Sequence, residues 1–275
     1  MNAPDQQLKI DVDAVLRAKA PRYYRWIPKG VIRFLERTVC QNRLNELLEH
    51  NASLRGADFC RGVLGDLNVH YTVEHANRLP ADPRVIIACN HPLGGLDGLI
   101  LIDYFTRRYG REVRFLVNDI LMAVEPLSDV FVPVNKHGRQ SRGDAASIDR
   151  ILATDTPVII FPAGLCSRKG KRGVVADGQW QKTFITKAIA SQRPVIPIRF
   201  SGENSKFFYN FAKWRKRLGI PLNIEMVLLP KEMLRAQGRS YTICIGEQIA
   251  WQSLRGGRQA FDQAQLIRQY VYSIK

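Results

Sequence analysis

The chain has 275 residues, 45% of them hydrophobic and 24% charged, with a formal net charge of +16 and a sequence pI of about 9.9. That balance excludes a disordered polyelectrolyte and is enough for a large domain with a substantial core and a helical appendage. The excess of cations favours polyanionic partners: nucleic acid, anionic lipid headgroups or an acidic carrier protein.

The first stretch, Met1 to Ile10, has no basic segment leading into an apolar one, so no signal peptide is expected. Residues 1–65 then read as helical. Val12, Val15 and Leu16 have helical spacing, Pro21 interrupts them, and Arg22-Tyr23-Tyr24-Arg25-Trp26 follows. A second helix starts near Pro28, with Val31, Phe34, Leu35, Thr38 and Val39 on one side and Lys29, Arg33 and Arg37 elsewhere. A third apolar series is Leu44, Leu47 and Leu48. Aromatic rings and arginines beside an amphipathic helix suit a bilayer interface, where rings lie among headgroups and cations meet phosphates. A helical pair packed on the main domain has the same pattern. We expect a membrane-associating segment over residues 1–65 and a second domain over residues 66–275.

From residue 67 onward, strand-length apolar runs alternate with helical patterns. The predicted strands are Val69–Val73, Val85–Cys89, Arg114–Val117, Phe131–Val134, Val158–Phe161, Val195–Phe200, Ile224–Leu228 and Tyr241–Ile245. The predicted helices are Gly98–Tyr109, Ala145–Ala153, Thr183–Ser191, Ser205–Lys216, Pro230–Gln237 and, at the end, Arg258–Ser273. Such alternation predicts an α/β fold with a mostly parallel central sheet flanked by helices. No apolar run approaches the roughly 18 residues of a membrane-spanning helix. The five cysteines, Cys40, Cys60, Cys89, Cys166 and Cys244, form no C-x-x-C pair and are odd in number, which favours neither a disulfide framework nor a zinc cluster. These features together predict a peripheral protein on the cytoplasmic face of the cell membrane.

In parallel α/β sheets, ligands meet the loops that follow the strands. The loop Asn90-His91-Pro92-Leu93-Gly94-Gly95-Leu96-Asp97-Gly98 follows a buried strand and precedes a helix. An aspartate there can fold back, accept from His91 Nδ1–H and leave Nε2 as a base. A helix-capping aspartate with an incidental histidine reads equally well from this loop alone. The loop from Phe161 to Gly173 contains Gly164, Cys166, Ser167, Arg168 and Lys169, and its glycines and cations suit a phosphate. A third loop, Asn135 to Gln140, offers Lys136 and Arg139 to an anionic headgroup, or simply to solvent. Val195-Ile196-Pro197 leads into a polar turn at Ser201–Ser205.

Taken in order, Asn90–Asp97, Phe131–Asn135, Phe161–Arg168 and Val195–Pro197 resemble the four blocks of the glycerolipid acyltransferase superfamily typified by lysophosphatidic acid acyltransferase. Three departures stand out. Five residues separate His91 from Asp97 where the common pattern has four, Ala163 replaces the usual Glu, and Asn135 stands near the usual Arg. They suggest a divergent branch, similar to bacterial enzymes that O-acylate lyso-ornithine or lyso-glycine lipids, some of them labelled hemolysins.

The resemblance implies transfer of a fatty acyl group from an acyl carrier protein or coenzyme A thioester to a lysolipid hydroxyl. It implies no bound cofactor and no metal. His91 would be the general base and Asp97 its orienting partner. Asn90, Gly94, Gly95, Lys136, Arg139, Gly164, Cys166, Ser167, Arg168 and Lys169 would line the substrate site, with amides near Gly164–Cys166 as oxyanion donors. Partners would be an anionic membrane surface, the lysolipid and the acyl donor. The basic residues are spread along the chain without a recognisable nucleic-acid motif, so nucleic acid is not expected. A Cys166-dependent covalent enzyme and a non-catalytic basic lipid-binding protein are the alternatives.

Overall fold

Short runs rich in Val and Ile, each bounded by polar or turn residues, assemble into a seven-stranded sheet. The structure, a computed structural model, describes residues 9–19, 21–117, 122, 124–133, 142–170 and 173–275. In chain order come α1 (Val12–Lys19), α2 (Pro21–Tyr24), α3 (Lys29–Thr38), α4 (Gln41–His50), α5 (Gly56–Asp66), β1 (His70–Glu74), β2 (Ile86–Cys89), α6 (Leu96–Tyr109), β3 (Arg114–Val117), β4 (Phe131–Pro133), α7 (Arg142–Leu152) and β5 (Val158–Ile160). They are followed by β6 (Arg168–Lys169), β7 (Val175–Ala176), α8 (Thr183–Ser191), β8 (Val195–Phe200), α9 (Lys206–Arg217), α10 (Leu229–Leu234), β9 (Ser240–Ile245) and α11 (Ala260–Ser273).

The sheet order is β1-β9-β8-β2-β5-β3-β4. Strands β8, β2, β5, β3 and β4 are mutually parallel; β9 is antiparallel to β8 and pairs in parallel with β1. The central strands lack polar alternation because both faces are covered. Ile87 and Cys89 of β2 enter a core shared with Phe59, Val63, Leu101 and Phe105, on α5 and α6. Ile86 and Ala88 point the other way, into a core with Trp180, Phe184, Ala188 and Val271. Each such fully buried Ile contributes about 1.5–3 kcal/mol relative to exposure.

The helices of the N-terminal stretch are not all an appendage. Leu47 of α4 and Phe59, Cys60, Val63 and Leu64 of α5 join the first core, and α5 packs along α6. The boundary expected at residue 65 thus falls in the last turn of α5. In α3, Ile32 is buried while Val31 and Phe34 face solvent.

Two sequence expectations need correction. Ile224–Leu228 is a 3-10 turn and not a strand. It lies between Pro221 and the start of α10, under α9, where Met226 and Leu228 pack on Phe208 and Tyr209. Met226 and Leu228 serve that small core, while Ile224 and Val227 stay exposed. The loop after Phe161 in turn holds a short antiparallel ribbon, β6 with β7, in which Arg168 is opposite Ala176. Elsewhere the shifts are small: α6 begins at Leu96 instead of Gly98, which puts Asp97 in its first turn. Val134, Lys136 and Arg139 lie outside the described residues. Among the described residues, no helix is long and apolar enough to cross a membrane.

Candidate active site

The parallel strands β8, β2 and β5 end side by side, and the loops leaving them meet. Asn90, just past β2, has its side-chain amide donate to Phe200 O at 2.9 Å and accept from Phe200 N at 2.6 Å. It extends the β2–β8 ladder by one side-chain rung. Asn90, expected from the sequence to line the substrate site, is buried with both amide atoms engaged and acts as a strut between β2 and β8.

His91 follows at the mouth. Its Nδ1 lies 2.9 Å from Asp97 Oδ2. The Gly94–Gly95 turn accommodates the extra residue between them: Gly94 has φ +88°, and a Cβ there would stand 2.7 Å from Leu229 Cδ1. Gly95 precedes α6 in open space. Asp97 is 0% exposed, while the His91 side chain keeps 13% of its surface open.

Burial pushes the Asp97 carboxyl up, but the His91 charge, the His91 hydrogen bond and the amides of Leu93 and Gly94 outweigh it, leaving the group below the usual carboxylate range. Those amides donate to Oδ2 at 2.9 and 3.3 Å, and the Gly98 amide donates to Oδ1 at 3.0 Å. The first turn of α6 adds its positive dipole end. An ionised carboxylate only accepts, so Nδ1 of a neutral His91 carries the proton and Nε2 is the unprotonated nitrogen.

The imidazole is also held by its face. Phe161, at the end of β5, stacks on it with ring centroids 3.9 Å apart and planes 19° from parallel. Phe115 meets Phe161 edge-on at 5.1 Å. Phe115 fits there because α6 has Gly98 opposite it, where a Cβ would lie 2.9 Å from the Phe115 ring.

The His91 backbone is tied down by Asp177, which sequence reading missed, and by Ser167, which it expected to line the substrate site. His91 N donates to Asp177 Oδ1 at 3.2 Å, and Ser167 N donates to His91 O at 2.7 Å. Asp177 is buried and also accepts from Ser167 Oγ at 2.6 Å and Trp180 Nε1 at 2.9 Å. Its backbone N–H donates to Tyr272 Oη at 2.7 Å, and its carbonyl accepts from Arg268. Asn204 donates to the carbonyls of Pro92 and Leu93 at 3.2 and 3.3 Å, bracing the same loop from the β8 side.

The basic loop is knitted into the protein around Arg168. Arg168 donates to Glu225 Oε1 at 2.8 Å and to Cys166 O at 2.7 Å, and its guanidinium lies 5.1 Å from the centre of the Phe208 ring. Glu225, fully buried, pairs through its other oxygen with Arg215 at 2.8 Å. Two guanidiniums thus share one carboxylate and leave one net positive charge. Ser167 is buried on Asp177, so its hydroxyl is a strut as well. Gly164 N closes a turn onto Phe161 O at 2.9 Å, which commits that amide. Cys166 is buried, and burial pushes its thiol up to about 11 despite the Arg168 charge beside it. Lys169 is exposed on the ribbon. Ala163 is packed against the second core.

An imidazole held by a buried carboxylate at the ends of parallel strands is chemically equipped to take a proton at its free nitrogen. The chain belongs to the acyltransferase family, whose pattern it matches over residues 14–275, and it is an acyltransferase. It is 38% identical over 270 residues to a lyso-glycine lipid O-acyltransferase of Bacteroides thetaiotaomicron, covering 98% of this chain and 99% of that protein. A lyso-glycine lipid O-acyltransferase of Phocaeicola vulgatus is 37% identical, with 98% and 96% covered. Among solved structures the chain is similar to the 1-acyl-sn-glycerophosphate (LPA) acyltransferase PlsC of Thermotoga maritima, at 15% identity and a TM-score of 0.47, with 95% of this chain and 97% of that one covered.

Proposed function

We propose that the protein transfers a fatty acyl group from a coenzyme A or acyl carrier protein thioester to the hydroxyl of a lysolipid, foremost a lyso-glycine lipid. The His91–Asp97 pair carries this reading, together with the activity named for the two bacterial relatives. In this mechanism the acceptor hydroxyl gives its proton to His91 Nε2 while its oxygen forms a bond to the thioester carbonyl carbon. Asp97 balances the imidazolium. The tetrahedral intermediate then expels the thiolate, which takes the proton back from His91. The amides of Leu165 and Cys166 remain the candidate oxyanion donors in the glycine loop.

The single net charge of the Arg168–Glu225–Arg215 cluster fits a monoanionic carboxylate headgroup better than a phosphate dianion. The enzyme works from the cytoplasmic face of the membrane, with the N-terminal helices ahead of α4 as its membrane-associating segment. Exposed Trp26, Val31 and Phe34 among Arg22, Arg25, Lys29, Arg33 and Arg37 support that placement. Purified protein with acyl-CoA or acyl carrier protein is expected to acylate lyso-glycine lipid in preference to lyso-ornithine lipid and lysophosphatidate, read by mass spectrometry. Acylation of none of the three overturns the activity, and a preference for lysophosphatidate overturns the headgroup assignment.

A covalent route through Cys166 is opposed by the burial of its thiol. Cys166→Ser is expected to keep turnover within about an order of magnitude of wild type, because the position is a small packed side chain. Loss of all turnover with the fold intact would restore the covalent route.

A further inference from the structure

The residue spacing of α9 divides it into two faces. At about 100° per residue, Phe208, Tyr209 and Ala212 fall on one side, and Phe207, Phe211, Trp214 and, just past the last turn, Leu218 fall on another. The first face is buried in the small core that includes Cys166 and Leu228. The second is open: Phe207, Trp214 and Leu218 are 57%, 66% and 58% exposed. Phe211, half-buried, stacks on Phe207 with centroids 6.0 Å apart. Six of the thirteen large hydrophobic side chains exposed among the described residues lie between Phe207 and Val227, so the apolar exposure is concentrated here and not scattered.

The charge beside this stripe has one sign. Lys206, Lys213 and Arg217 line one flank, and α9 contains no Asp or Glu. The patch also adjoins the site. The helix packs on β6, which carries Arg168, and Leu165 and Val174 are exposed on the adjacent loop and ribbon. An acidic protein would match the cations but would leave the aromatic stripe uncovered. A bilayer interface takes both, with rings at headgroup depth and cations on the phosphates.

We propose that this face of α9, continued by Leu222, Ile224 and Val227, docks the mouth of the active site on an anionic lipid bilayer. It acts in addition to the N-terminal segment and rests on the reading of the acceptor as a membrane lysolipid. Lipid leaving the bilayer then reaches His91 without crossing water.

The test uses the full chain and vesicles of mixed phosphatidylglycerol and phosphatidylcholine. Two variants probe the face: Phe207→Ser with Trp214→Ser and Leu218→Ser, and Lys213→Glu with Arg217→Glu. Each is expected to weaken vesicle co-sedimentation by about 10-fold or more. Turnover of a short-chain lysolipid dispersed below its micellar concentration, with acyl-CoA as donor, is expected to be unchanged. Vesicle binding equal to wild type in both variants overturns the proposal. So does a selective loss of acyl-carrier-protein-dependent turnover with vesicle binding intact, which makes the face a carrier dock. If the wild type binds vesicles through this face yet acylates no lysolipid, the docking surface stands and the acceptor assignment fails.

Discussion

Replacing His91 with alanine is expected to reduce acyl transfer by about 10⁴-fold or more, to background, with the fold retained. An alcohol is un-ionised at neutral pH, so attack on a thioester needs a base within hydrogen-bond reach of the hydroxyl. With Nδ1 committed to Asp97, Nε2 of His91 is the nitrogen left for that base. Removing the ring takes one partner from the buried Asp97 carboxylate, but the amides of Leu93, Gly94 and Gly98 still donate to it, so the fold is expected to survive at some cost in stability. Acyl transfer by purified His91→Ala at a rate comparable to wild type, with unchanged circular dichroism, would remove His91 from the mechanism.

Asp97→Asn is expected to lower kcat by about 10²–10⁴-fold, and it should also destabilise the fold by about 1–3 kcal/mol. The carboxylate accepts from four donors: His91 Nδ1, Leu93 N, Gly94 N and Gly98 N. An amide in its place has one accepting atom. If its oxygen faces His91, its NH₂ faces the Gly98 amide; if flipped, the NH₂ opposes the Leu93 and Gly94 amides and puts the wrong His91 tautomer forward. The pH dependence separates this from a generic packing defect. The folded-state pKa of Asp97 is depressed, so its contribution is fully present above the unfolded carboxylate value, about 3.9, and is lost as pH falls through the lower folded value. The stability gap between wild type and Asp97→Asn should therefore be flat near neutrality and close only in strong acid. A gap that closes around neutral pH would show that Asp97 is not held as an anion.

The N-terminal helices show where a local pattern stops being informative. Leu44 and Leu47 are as apolar as Val31 and Phe34, yet Leu47 lies in the main core while Phe34 is exposed. Amphipathicity states that a helix has an apolar side; it does not state whether protein or lipid covers it.

The sequence by itself determined most of the strand-and-helix order and placed His91 and Asp97 in one loop. Both rest on short-range physics. Runs such as Val85–Cys89 and Val158–Phe161 are too apolar for anything but a sheet covered on both faces, and the six-residue step from His91 to Asp97 spans one loop. Only the tertiary structure decided what holds the pair in place and what the basic loop does. Asp177 reaches His91 N across a sequence separation of 86, and Glu225 reaches Arg168 across 57. A buried carboxylate has the same letter as an exposed one, and its partner is chosen by the packing of distant segments. For the same reason Ile224–Leu228 is strand-like in composition and a 3-10 turn in the fold. Asp97 combines both levels: its place in the first turn of α6 follows from the local sequence, and its ionised state follows from the donors that the folded loop gathers around it.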